Sequence, residues 1–187
     1  MKPLDRYLQR WRNGKVRPYL PAGARVLDIG CADGPLFQQF ASRIGEGIGI
    51  DPDLPKPICG PRYRLIPGRF PKDLPDDGEF DLIAMLAVLE HVPADQLRDL
   101  PQQCSRRLRL GGYLVITVPS PVVDRILDVL KATRFLDGMC LEEHHGFDVS
   151  QVPVLFSSEE LVLVRAARFQ LGLNNLFVFQ RVARRSG

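Results

Sequence analysis

The chain has no Cys-x-x-Cys pair, no internal repeat and no low-complexity linker. No stretch approaches the roughly 18 uninterrupted apolar residues of a membrane-spanning helix. The four cysteines stand apart at positions 31, 59, 104 and 140, and no apolar secretory segment opens the sequence. A reducing cytoplasm is therefore the expected compartment. An excess of one charge is also lacking. Twenty-five basic against 22 acidic residues leave a net charge of +3, too small to argue for nucleic acid or a membrane surface as partner. Histidine is scarce, with three residues in all: His91, His144 and His145. A Gly-x-Gly-x-x-Gly turn, the mark of a dinucleotide site, is missing too.

What remains is ordinary for a soluble globular domain: 187 residues, 45% hydrophobic and 25% charged. The length suits one domain over 1–187 with a substantial core. Leu4, Tyr7, Leu8 and Trp11 recur at helical spacing, so an amphipathic helix is expected over 4–16. With the prolines that end it, this forms a helical cap over 1–20. Tyr7 and Trp11 are read chiefly as residues packing on the core. Strands are expected at Arg25 to Ile29, Gly47 to Ile50, Tyr63 to Ile66, Phe80 to Leu86 and Tyr113 to Val118. Helices are expected from Pro35 and over Ala94 to Leu108. The run Phe80-Asp-Leu-Ile-Ala-Met-Leu86 suits a central strand buried on both faces. Alternating strands and helices make an α/β, doubly wound parallel sheet. After a segment over 121–157 with expected helices at Pro121–Lys131 and Val149–Phe156, Leu161–Gln170 and Leu176–Val182 read as strands. They are joined by a turn at Asn174-Asn175, and so closely that they must be antiparallel. The basic groups Arg106, Arg107 and Arg109, and Arg181, Arg184 and Arg185, read as solvated surface.

Chemistry concentrates in Arg25-Val-Leu-Asp-Ile-Gly-Cys-Ala-Asp-Gly34 and Gly47-Ile-Gly-Ile-Asp51. A buried strand runs into a glycine turn, then a helix, then a strand ending in an acid, which builds a nucleotide-sized pocket at the carboxyl end of a parallel sheet. The spacing is Asp28-x-Gly30-x-x-x-Gly34. Asp28 would repel a pyrophosphate but suits a ligand with a positive amine. Asp51, at the tip of the second strand, can accept both hydroxyls of a ribose. Gly30 and Gly34 allow close backbone approach. Cys31, inside the turn, reads as a small packed side chain bordering the ligand rather than as a nucleophile.

These motifs resemble those of the class I S-adenosylmethionine-dependent methyltransferases, of the small-molecule, ubiquinone- and menaquinone-biosynthesis-like kind. Glu79 to Leu86 is similar to that family's fourth motif, and Leu108-Arg-Leu-Gly-Gly-Tyr-Leu114 to its turn before strand five. The resemblance covers about residues 20–120. It implies a Rossmann-like seven-stranded sheet in the order 3-2-1-4-5-7-6, with an antiparallel carboxyl-terminal hairpin. It implies S-adenosylmethionine as cofactor, with Asp28 at the methionine amine, Asp51 at the ribose and Pro52 among the residues that border the cofactor. Phe70 would stack on the adenine, and Met85 and Leu86 would lie beside the cofactor. Two positions depart from the pattern. Ala32 replaces the middle glycine, and Arg69 stands where many relatives place an acid that accepts the adenine amine. Arginine cannot accept that bond, so backbone carbonyls or another acid such as Asp73 must.

Methyl transfer from a sulfonium needs an acceptor held in line and, for a hydroxyl, a proton acceptor. Glu90 and His91, on the segment leaving strand four, and His144 and His145, in the acceptor-side segment 121–157, are the candidates for acceptor binding or acid/base work. Some relatives carry Glu-x-x-Glu-His here and hold a divalent ion. Ala87 replaces the first glutamate, so a metal is not favoured. The reading is methyl transfer to a small-molecule acceptor, with a hydroxyl oxygen preferred. The Asn/Asp-Pro-Pro-Tyr motif of DNA-type N-methyltransferases is absent. Two readings stand against it: a non-catalytic methyltransferase-fold interaction protein, and a nicotinamide-dependent oxidoreductase.

Overall fold

The computed structural model describes residues 3–75, 78–120 and 148–184. His144, His145 and most of the expected acceptor-side segment lie outside those residues. An eight-stranded sheet organises the rest: β1 Ala24–Ile29, β2 Ile44–Asp51, β3 Ile58–Cys59, β4 Tyr63–Pro67, β5 Phe80–Leu86, β6 Leu108–Pro119, β7 Leu161–Phe169 and β8 Asn174–Arg181. Their order is β3-β4-β2-β1-β5-β6-β8-β7. The five strands from β4 to β6 run parallel, and β8 and β7 add on antiparallel. Leaving β3 aside, this is the expected order 3-2-1-4-5-7-6. The eighth strand is a two-residue edge piece antiparallel to β4, too short to leave a period in the sequence.

The apolar runs of β1 and β5 sit at the centre of the sheet because both their faces are covered. Leu27, Ile29, Ile83 and Met85 pack on one side, with Leu100, Phe156 and Phe179. Val26, Leu82 and Ala84 pack on the other, with Leu36, Phe37 and Val178. All parallel strands end on the same edge, so the tips of β1, β2, β4 and β5 converge there. That convergence creates the crevice in which open α/β sheets bind ligands.

Four local expectations are corrected. The helix expected over Ala94 to Leu108 is two pieces, α3 Ala94–Leu97 and α4 Leu100–Arg107, because Pro101 has no N–H to give the Leu97 carbonyl four residues back. The hairpin turn is made by Gln170, Leu171 and Gly172, all at left-handed φ. Asn174 already belongs to β8, and its side-chain amide donates to Gln170 Oε1 at 2.6 Å. Arg181 is not solvated surface: its guanidinium donates to Glu79 Oε1 at 2.9 Å and to the Leu108 carbonyl, tying β8 to the start of β6. The last correction concerns the amino-terminal helix, α1 Pro3–Asn13. Tyr7 and Trp11 are 62% and 39% exposed rather than packed on the core. Their rings lie 6.1 Å apart. The inward stripe is polar instead, with Asn13 buried and Arg12 half-buried.

Candidate active site

The turn after β1 and the tip of β2 form one hydrogen-bonded unit. Gly30 has φ +75°, and a Cβ there would come within 2.3 Å of Val88 Cγ2, so the segment after β5 lies directly against the turn. Ala32 holds a left-handed φ of 44°. Its N–H donates to Asp51 Oδ2 at 2.8 Å, while Asp51 Oδ1 accepts from the Asp53 N–H at 2.9 Å. Two backbone amides thus fix the carboxylate, and each oxygen keeps a lone pair for a further donor. Gly34, at φ +81°, starts the short helix α2 Pro35–Gln39.

Asp28 lies beneath this unit and is 4% exposed. Burial, reinforced by the charge of Asp51, pushes its carboxyl up to about 8. Two acids so close favour a cation between them, which would restore Asp28 to its charged form. A ligand ammonium meets that need and a pyrophosphate does not. Cys31 is 1% exposed, and its Sγ would lie 2.6 Å from a Cβ at Gly49, so the thiol packs against β2. Burial and the neighbouring acids push it up, which disfavours the thiolate. Only the backbone of Cys31 borders the turn.

A cavity of about 510 Å³ opens at the carboxyl ends of the strands. Ile29, Ile50, Met85 and Leu100 give it apolar walls, and Pro52 and Phe70 border it. Leu86 is separated from Met85: adjacent strand residues face opposite sides, and Leu86 packs with the cluster that includes Val26 and Leu36. The loop after β4 presents Arg69 and Lys72 to the cavity, whereas Asp73 is not among the residues lining it. Asp73 Oδ2 accepts the Arg69 N–H at 2.9 Å, and the Asp73 N–H donates to the Arg69 carbonyl at 2.9 Å.

Glu90 and His91 diverge. His91 is exposed and lines the cavity. Glu90 is 6% exposed and faces Arg12 of α1, whose guanidinium is lowered by burial and raised again by the Glu90 charge. Ala87 sits between β5 and these residues at φ 61°, its N–H bonded to the Thr117 carbonyl at 2.9 Å. Among the described residues no three His, Cys, Asp or Glu side chains come together to hold a metal. Sequence reasoning missed Arg12, because its partner is remote in the chain. It also missed Thr117, which lies beside Leu86 in the sheet and is fully buried, with no hydrogen-bond partner for its hydroxyl. Its only sequence signal was one polar residue in the apolar run of β6.

Sheet order, glycine turn and acid-tipped second strand together define a class I S-adenosylmethionine-dependent methyltransferase. Residues 3–164 match the family model described as a methyltransferase domain, and the chain belongs to that family. It is 32% identical over 108 residues to a ubiquinone biosynthesis O-methyltransferase of Pseudomonas aeruginosa, covering 51% of this chain and 44% of that protein. With the corresponding protein of Methylococcus capsulatus it shares 25% identity over 138 residues, covering 67% of this chain and 56% of the other. The chain thus spans about half the length of these curated relatives. Among solved structures, the fold is similar to a 1,6-didemethyltoxoflavin-N1-methyltransferase of Burkholderia thailandensis with bound S-adenosylhomocysteine. The TM-score is 0.68 at 17% identity, covering 96% of this chain and 80% of that one. The N-methyltransferase NodS of Bradyrhizobium japonicum gives 0.63 at 18% identity, covering 94% and 97%. Among the described residues no helix is long and apolar enough to cross a membrane.

Proposed function

We propose that this protein transfers the methyl group of S-adenosylmethionine to a hydroxyl oxygen of a small-molecule acceptor. The observation that carries the cofactor half is the unit of buried Asp28, left-handed Gly30 and backbone-held Asp51 at the tips of adjacent strands. The relatives named for ubiquinone biosynthesis O-methylation support the oxygen acceptor.

The bound cofactor supplies an electrophilic methyl on a sulfonium, so the protein needs no nucleophile of its own. Asp28 binds the amino group of the methionine moiety, and Asp51 accepts the ribose hydroxyls. Pro52, Phe70 and Met85 enclose the adenine, with the backbone of Gly30, Cys31 and Gly34 along the methionine portion; Leu86 closes the opposite side of the β5 tip. In-line alignment then does most of the catalysis. The acceptor hydroxyl must lose its proton as the new bond forms. Glu90 is buried and does not line the cavity, so its part is to hold the segment after β5. Proton removal falls to His91 on the open side, together with His144 or His145. Incubation with S-adenosylmethionine and a panel of ring hydroxyl acceptors, read by mass spectrometry, should give a singly methylated product. His91→Ala should lower kcat by about 100-fold, the usual scale of general-base loss. An unchanged kcat would remove His91 from the chemistry.

A further inference from the structure

The structure assigns recognition of the cofactor's adenine amine to Gln103 on α4, across the cavity from the loop after β4. This rests on S-adenosylmethionine being the ligand of the cavity. An adenine amine needs an acceptor, and the loop after β4 offers few. Arg69 and Lys72 face the cavity but carry donors only. Asp73, the nearest acid, is absent from the cavity lining, and one of its oxygens is bonded to the Arg69 N–H. Two of the loop's carbonyls are engaged as well: that of Arg69 takes the Asp73 N–H at 2.9 Å, and that of Pro71 takes the Leu74 N–H at 3.2 Å.

The facing wall comes from α3 and α4. It carries Asp95, Gln96, Asp99 and Gln103 on the same cavity as Phe70 and Met85. Gln103 lies one helical turn beyond Leu100, a buried residue of the cavity wall, and is itself half-buried. Gln96, Asp95 and Asp99 are exposed. Chemistry separates them further. Beside its amine, adenine presents a ring-nitrogen lone pair. A carboxylate satisfies the amine and repels the lone pair. A primary amide matches both, its oxygen accepting from the amine and its nitrogen donating to the ring, the pairing by which glutamine reads adenine elsewhere. Gln103 carries the matching group and is the one of these four polar residues that is not exposed. The acceptor lost at Arg69 is thereby replaced from the opposite wall.

The test uses the full chain and two ligands, S-adenosylhomocysteine and its analogue lacking the 6-amino group, with dissociation constants from calorimetry. The wild type should prefer the amino form by about tenfold, the scale of a bidentate amide–adenine pair. In Gln103→Met, which keeps shape and helix propensity, the two ligands should bind alike, with the amino form weakened to the level of the analogue. Gln103→Ala should behave the same way. Asp73→Ala, which removes the acceptor altogether, should keep the wild-type preference. Full discrimination in either Gln103 variant, or its loss in Asp73→Ala, would overturn the assignment. Failure of S-adenosylhomocysteine to bind the wild type would instead sink the cofactor reading itself, so the two failures are distinguishable.

Discussion

At the scale of residues, Asp28 couples the site to protons. Its carboxyl is raised to about 8 by burial first and Asp51 second. In the ligand-free protein it therefore stays protonated at pH values where the unfolded chain would carry it ionised. The folded state holds the extra proton, so stability attributable to Asp28 is fully present below the ordinary carboxyl range near 3.8. That stability is lost as pH rises towards 8. A cationic amine reverses the preference, and its binding expels the proton. Affinity for S-adenosylhomocysteine should therefore rise with pH between about 6 and 8, by up to tenfold per unit. Calorimetry in buffers of different ionisation enthalpy should show proton release on binding. Asp28→Asn should abolish both the release and most of the affinity, and an affinity flat across that range would refute the assignment. Spacing made the identity of Asp28 and Asp51 legible in the sequence, because strand, turn and acid follow one another. The charge state of Asp28 was not legible, since it depends on burial between β2 and β5, whose residues Gly49 and Ala84 lie far along the chain.

Elements were readable where a local rule dominates. β5 falls where its apolar run is, and α2 begins at its proline. The amino-terminal helix was misread because two aromatics at helical spacing outweigh polar residues in any periodic count. Glu90, whose charge acts on Arg12, belongs to the turn after β5. Gln170 adds a second tie, its amide donating to the Leu8 carbonyl at 2.9 Å. Side-chain amides thus tie the helix at Leu8 to the turn before β8 and at Arg10 to α2. Arg12→Met should destabilise the protein by about 3 kcal/mol, because it leaves the buried Glu90 charge without its cation. Glu90→Gln in that background should recover much of the loss. Denaturant melts of the two single variants and the double variant measure the coupling. Additive losses would show that the pair does not hold the helix.

At the scale of the molecule, the parallel order was legible because alternating strands and helices, crossing right-handedly, leave few arrangements. What the alternation could not convey was the edge strand β3, the break at Pro101, and the adenine-side cavity, whose far wall belongs to α3 and α4. The resulting architecture brings two acids, Asp28 and Asp51, to the tips of neighbouring strands beside a cavity of about 510 Å³, and the proposed function gives the first to an ammonium and the second to a ribose. That combination favours S-adenosylmethionine over a dinucleotide. Calorimetric titration of the full chain with S-adenosylhomocysteine and, separately, with NAD tests it most directly. Saturable binding of the homocysteine product alone, weakened at least tenfold by Asp51→Ala, is the predicted result. Binding of NAD without S-adenosylhomocysteine, or binding of S-adenosylhomocysteine indifferent to Asp51, would contradict it.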